Sequence, residues 1–279
     1  LQQKKRLGPD PEWRIPMNLG INDKTALVTA SSRGLGKAIA LQLSREGAKV
    51  AICARGEEEL HRTKKEIEDR AGGQVLAKAT DVTDKSQVKK LFRHVTEKLG
   101  TVDILICNAG GPPSGMAEDF GLDDYQKALG LNLLSTINLC YEAMPHMKKQ
   151  NWGRIINMAS VSAKQPIENL ILSNTARAGV LGFSKSLSNQ LAPFGITVNT
   201  VCPGYTRTER VEGLAESFEK AGKGTAHDFY QKIEKLIPMR RFGRPYEIAS
   251  AVVFLCSEAA SYITGVSLQV DGGYVNAIF

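Results

Sequence analysis

The chain has 279 residues, 42% hydrophobic and 23% charged, which is the composition of a globular protein and excludes disordered and fibrous classes. No apolar run approaches the roughly 18 residues of a membrane-crossing helix, and no hydrophobic signal segment is visible, so no membrane partner is expected. The net charge of +7 comes without a Lys/Arg block, and predicts a mildly basic surface suited to a phosphorylated small molecule rather than a nucleic-acid interface.

In chain order, residues 1–20 are polar, Pro-containing and aperiodic, and are expected to be a tail. Either the natural chain starts at Met17, after expression-derived residues, or the segment is a binding arm using Trp13. From Lys24 the pattern alternates strand and helix. TALVTA predicts a first strand, followed by Gly34 and Gly36 and by Leu35, Ile39 and Leu43 at helical spacing. KVAIC predicts a second strand, and residues 57–70 a charged amphipathic helix stopped by Gly72-Gly73. VLAKATDV is a third strand region. Thr83 or Asp84 caps a helix carrying Val88, Leu91, Phe92, Val95 and Leu99 on one face, terminated by Gly100. VDILICNAG reads as a fourth strand opening into a Gly-rich loop, and a long helix is expected from about 123 to 150. Strand RIINMAS, helix 167–192, strand ITVNTV, a loop-helix region 203–243, helix 245–257 and strand VSLQV complete the chain. This alternation predicts an α/β fold: a single Rossmann-type doubly wound parallel sheet with helices on both faces, spanning 21–279. The near-continuous apolar runs are those of strands buried on both sides. Of the five cysteines, four lie in apolar runs and none forms a CxxC pair, which fits free thiols in a reducing, cytoplasmic setting. The four histidines show no ligand spacing, so no metal is assigned.

Ala30-Ser31-Ser32-Arg33-Gly34-Leu35-Gly36 lies between the first strand and first helix. Glycines there let backbone approach a pyrophosphate, and the helix N-terminus offers unpaired N–H groups and a positive dipole end. The turn resembles the TGxxxGxG fingerprint of the short-chain dehydrogenase/reductase family, with Ala30 replacing the first glycine, a change tolerated if its φ is negative. Asn108-Ala109-Gly110, Asn132, Ser160, Pro203-Gly204 and the C-terminal RFGRPYEIASAVVFLCSEAASYITG and VDGG strengthen the resemblance, which covers about 21–275 and is worded most like the 3-oxoacyl-acyl-carrier-protein reductases. It implies a cofactor site built from Ala30, Ser32, Arg33, Gly34, Leu35, Gly36, Asp81, Val82, Asn108, Ala109, Gly110, Pro203, Gly204 and Thr206. Asp81-Val82 would hold the adenine. The second strand ends in Cys53-Ala54-Arg55, without the acid that would read an NAD ribose. Arg33 and Arg55 can fork a 2′-phosphate instead, which makes NADP(H) the expected cofactor.

The resemblance breaks at the chemistry. The family uses Asn, Ser, Tyr and Lys, with Tyr as acid or base and Lys lowering its pKa and holding the nicotinamide ribose. Asn132 and Ser160 match, but the Tyr and Lys positions hold Ser173 and Arg177, and no tyrosine lies between Gly153 and Tyr205. Ser173 and Arg177, at i and i+4, still share a helix face. An aliphatic hydroxyl is a far weaker acid than a phenol, and Arg does not deliver a proton, though it can bind ribose hydroxyls or a substrate carboxylate. Three readings stay open: a reductase whose proton comes from water or substrate, with Asn132, Ser160, Ser173 and Arg177 as its catalytic set; an NADP(H)-binding protein with little or no turnover; or other chemistry using Tyr205, Glu168 or Lys164. The substrate would be a small carbonyl or alcohol compound, a ketone or 3-oxoacyl group. Residues 205–243 are expected to form a charged substrate lid with few strong apolar faces. Arg240, Arg241 and Arg244 either select acidic substrates or are merely solvated. Ala176, Ala178, Gly179 and Gly182 suit close helix packing, either across a two-fold axis of a homo-oligomer, most simply a tetramer, or within the chain.

Overall fold

The computed structural model describes residues 18–278. The expectations for Met17, Trp13 and the rest of 1–17 fall outside them. Residues 18–20 belong to the domain rather than to a tail: the Leu19 carbonyl accepts from Glu258 N at 2.8 Å, and the Leu19 side chain packs on the core.

Seven strands, β1 (Thr25–Val28), β2 (Lys49–Ala54), β3 (Val75–Ala79), β4 (Ile104–Cys107), β5 (Gly153–Met158), β6 (Ile196–Pro203) and β7 (Ser267–Val270), form one sheet in the order β3-β2-β1-β4-β5-β6-β7. Every pairing is parallel. The period-2 rule sorts strand side chains between two cores. Ala26, Val28, Ile104 and Ile106 face α1 (Gly34–Arg45), α2 (Glu57–Ala71) and α9 (Pro245–Cys256). Leu27, Leu105 and Cys107 face α3 (Lys85–Leu99), α5 (Ser135–Gln150) and α6 (Ile171–Leu191). All five cysteines are buried and free.

Local signals set the element ends. Asp84 caps α3, accepting from Ser86 N and Gln87 N at 2.8 and 3.1 Å, and Gly72 ends α2 at φ +74°. The helical stretch expected from about 123 to 150 runs from Leu122 to Gln150, as α4 (Leu122–Leu129), a π turn at Gly130–Leu134 and α5. The helix expected from 167 starts at Ile171, after Asn169 turns through the left-handed region at φ +60°. Residues 205–243 carry more apolar surface than their charge suggests. Their helices α7 (Glu209–Lys220) and α8 (Ala226–Leu236) bury Val211, Ala215, Phe229, Ile233, Ile237 and Phe242 in a core of their own.

The strand order reverses between β1 and β4, and crevices at such switch points open beyond the carboxyl ends of the strands. A cavity of about 1000 Å3 lies there, walled by the loops after β1 to β6 and roofed by α7.

Candidate active site

The β1–α1 turn forms one half of the cavity. Thr29 Oγ1 donates to the Asn108 carbonyl at 2.6 Å, and Asn108 Nδ2 donates to the Ala30 carbonyl at 3.1 Å, so the β4 loop braces the turn. Gly36 is required for close approach: a Cβ there would lie 2.8 Å from Ser31 Cα and 2.9 Å from Asn108 Nδ2. Helix α1 begins with no side-chain cap and no acid in its first turn, which leaves N–H groups and the positive dipole end facing the cavity. Ala30 departs from expectation. Its φ is +46°, not negative, because the chain must turn through the left-handed region there whichever residue occupies it.

Arg33 and Arg55 both line the cavity, are exposed, and form no ion pair among the described residues. Ser32, Gly34, Leu35, Asp81, Val82, Ala109 and Gly110 line the same half, and Pro203, Gly204 and Thr206 line the wall beneath the lid. Asp81 accepts from Thr83 N at 2.9 Å, which fixes its loop. The uncapped helix end, the glycine approach and the two free guanidiniums fit a dinucleotide carrying a 2′-phosphate.

At the other end Ser160, Ser173 and Arg177 line the cavity together. Ser160 Oγ accepts from Ser162 N at 3.1 Å, and the Ser162 and Ser173 hydroxyls are 3.3 Å apart. Sequence reading missed Ser162; its position two residues after Ser160 was the available signal. Arg177 is buried, and its Nη1 donates to the Met158 and Ala159 carbonyls at 3.0 and 2.8 Å, at the end of β5. Burial first, then the nearby Arg210 cation, pushes its guanidinium down to about 10, so it stays charged at neutral pH. Asn132 does not line the cavity. It sits buried in the π turn, where Nδ2 donates to the Gly110 carbonyl at 2.9 Å and Oδ1 has no donor among the described residues.

Of the substitute acids, only Tyr205 reaches the cavity. Burial raises its phenol well above the ordinary value, and its ring packs edge-on against Phe242 and Tyr274. Glu168 is exposed, and Lys164 Nζ donates to Gln269 Oε1 at 3.3 Å. The Arg240–Arg244 cluster does not line the cavity: Arg241 is held by both Glu247 oxygens at 2.8 and 2.7 Å, and Arg240 bonds the Lys235 carbonyl. A selective role for acidic substrates is therefore withdrawn from those three arginines.

Residues 29–275 match the family profile described as Enoyl-(Acyl carrier protein) reductase. The 3-oxoacyl-[acyl-carrier-protein] reductase FabG of Aquifex aeolicus is 34% identical over 257 residues, covering 92% of this chain and 99% of that one. The corresponding protein of Haemophilus influenzae is 37% identical over 250 residues, covering 90% and 97%. Among solved structures, L-sorbose reductase from Gluconobacter frateurii complexed with NADPH and L-sorbose superposes with a TM-score of 0.89 at 32% identity, covering 94% of this chain and all of that one. Actinorhodin polyketide ketoreductase with NADPH gives 0.88 at 32%, covering 91% and 98%. The fold and site are thus those of a nucleotide-dependent oxidoreductase. The chain belongs to the short-chain dehydrogenase/reductase family.

Proposed function

We propose that the protein is an NADP(H)-dependent reductase of a ketone or 3-oxoacyl-type carbonyl, working without the family's Tyr–Lys pair. The observation that carries this is the joint placement of Ser160, Ser173 and the buried, charged Arg177 at the end of the cavity opposite Arg33 and Arg55. The nucleotide would lie along the turn, with its 2′-phosphate between Arg33 and Arg55 and its adenine beside Asp81 and Val82. When bound, NADPH supplies a hydride for the carbonyl carbon.

This chain's residues act on the carbonyl oxygen. Ser160 and Ser173 donate hydrogen bonds to it, and Ser162 orients the Ser173 hydroxyl. Arg177 stabilises the negative charge that develops as the hydride arrives. A proton from water, or from a neighbouring substrate group, completes the alcohol. The missing acid costs about 10²–10⁴-fold. A fixed cation or donor at a developing oxyanion is worth about 10²–10³-fold, so Arg177 offsets much of that loss. Asn132 acts at a distance, by holding the Gly110 loop.

The second reading, an NADP(H)-binding protein with little turnover, is favoured by Tyr205: its raised phenol, packed among aromatic rings, leaves the cleft without a good acid. One experiment separates the two. Fluorescence titration with NADPH and NADH is followed by NADPH consumption against a panel of ketones and 3-oxoacyl thioesters. NADPH is expected to bind at least tenfold tighter, about 1.4 kcal/mol, and to be consumed with at least one carbonyl. Equal dissociation constants refute the 2′-phosphate site. Tight binding without consumption across the panel selects the second reading.

A further inference from the structure

The cavity holds one cation, Arg210, beyond Arg33, Arg55 and the Arg177 that the carbonyl chemistry uses. Arg177 stands at its floor, and Arg210 reaches it from the lid. The ion pairs of the described residues include neither one. Arg177 meets only backbone carbonyls. Arg210, on the first turn of α7, crosses to the loop after β4, where Nη2 donates to the Pro112 carbonyl at 2.8 Å. Its guanidinium lies against Gly111, since a Cβ there would come within 2.9 Å of Arg210 Cζ. The adjacent acid, Glu209, does not neutralise it: its carboxylate reaches toward the Gly34 turn instead. Both guanidiniums line the same cavity, and the Arg210 charge adds to burial in holding the Arg177 pKa down. Ser114, Ile167, Leu170, Val211 and Leu214 also line the cavity.

Two guanidiniums facing one cavity, each with donors its backbone contacts do not use, offer a receptor for a planar anion. We propose that the substrate carries a carboxylate read by Arg210, with Arg177 as the second charge, so that among carbonyl compounds the protein prefers an oxo acid to its neutral counterpart. This rests on the reductase reading above. Arg177 lies beside Ser160 and Ser173, which places the anion near the reacting carbonyl and favours short oxo acids over a carbonyl on a long carrier arm. Because Arg210 bridges the lid and the β4 loop, a bound carboxylate would also hold the lid against the cavity. Arg210 is thereby a specificity-determining residue.

The test compares 2-, 3- and 4-oxo carboxylates with their methyl esters, in the wild type, Arg210→Gln and Arg210→Lys. With NADPH present, the wild type is expected to favour the acids by at least tenfold in kcat/KM, mainly through KM. Arg210→Gln should remove that preference, and Arg210→Lys should retain part of it, with NADPH dissociation constants within twofold throughout. Equal loss for acids and esters in Arg210→Gln, or weakened NADPH binding with the preference intact, overturns the assignment. A parallel calorimetric titration of the same acids and esters into the protein–NADP⁺ complex needs no turnover. Carboxylate binding that is lost in Arg210→Gln supports the anion site even if reduction is absent. No carboxylate binding at all overturns it, whether or not esters are reduced.

Discussion

Ala30 shows what one side chain can contribute without touching a ligand. Its φ of +46° lies in the left-handed region, where an L residue with a Cβ is disfavoured by about 1–2 kcal/mol. The turn keeps this conformation because Asn108 holds the Ala30 carbonyl and Gly36 packs beneath it. Ala30→Gly removes that strain but gives the unfolded chain more freedom. The net expectation is a gain of about 0.5–1 kcal/mol, seen as a modest rise in Tm and in the denaturant midpoint. A fall in both would show that the Ala30 methyl group makes a stabilising contact that outweighs the strain. Arg177 illustrates the opposite case. Two carbonyls at the end of β5 hold a buried cation that has no acid partner, an arrangement that costs stability unless a ligand uses the charge.

At the scale of elements, α6 carries Ser173 and Arg177 to the cavity, and the π turn before α5 packs against it. Ser173 and Arg177 lie one helical turn apart, and both face the cavity. The π turn carries Asn132 to the Gly110 loop, and Leu133 from the same turn fills the space above Gly179 of α6. Restoring the absent acid on this face tests what the present residues do. Ser173→Tyr with Arg177→Lys is expected to raise NADPH-dependent reduction of a simple ketone or 3-oxoacyl thioester by about tenfold or more. Each single change should give less, because the phenol and its tuning cation act as a unit. Steady-state rates for the four proteins form the cycle. Native turnover that is lost in the double variant would show that Ser173 and Arg177 carry chemistry of their own.

On the scale of the whole molecule, the sheet ends at β7, whose outer edge is unpaired among the described residues and whose residue Leu268 is exposed, with Val266 and Tyr262 exposed nearby. On the other helical layer, Leu134 and Tyr141 are exposed, and Ala178 and Gly182 of α6 stand open. Gly179 is occupied within the chain by Leu133, so packing between copies does not need it. Apolar edges and faces of this kind are usually covered. The chain is expected to form a homo-oligomer, most simply a tetramer, and light scattering at micromolar concentration checks it. A mass equal to one chain ends that expectation. Among the described residues, no helix is long and apolar enough to cross a membrane.

The sequence by itself determined the strand–helix order, the parallel sheet, the glycine turn after β1 and the absence of a Tyr–Lys pair, because each is written in local period, glycine spacing or residue identity. Asp84, Gly72 and Gly100 marked helix ends through their own side chains or backbone freedom. Only the tertiary structure decided the rest. The π turn at Asn132 and the left-handed Ala30 arise where neighbouring elements fix the backbone against local preference. The pairing of Ser162 with Ser173, the engagement of Arg241 by Glu247, and the bond from Arg210 to the Pro112 carbonyl join residues that lie 6 to 98 positions apart. No local pattern encodes such contacts, since they depend on how the lid, α6 and the β4 loop pack around one cavity.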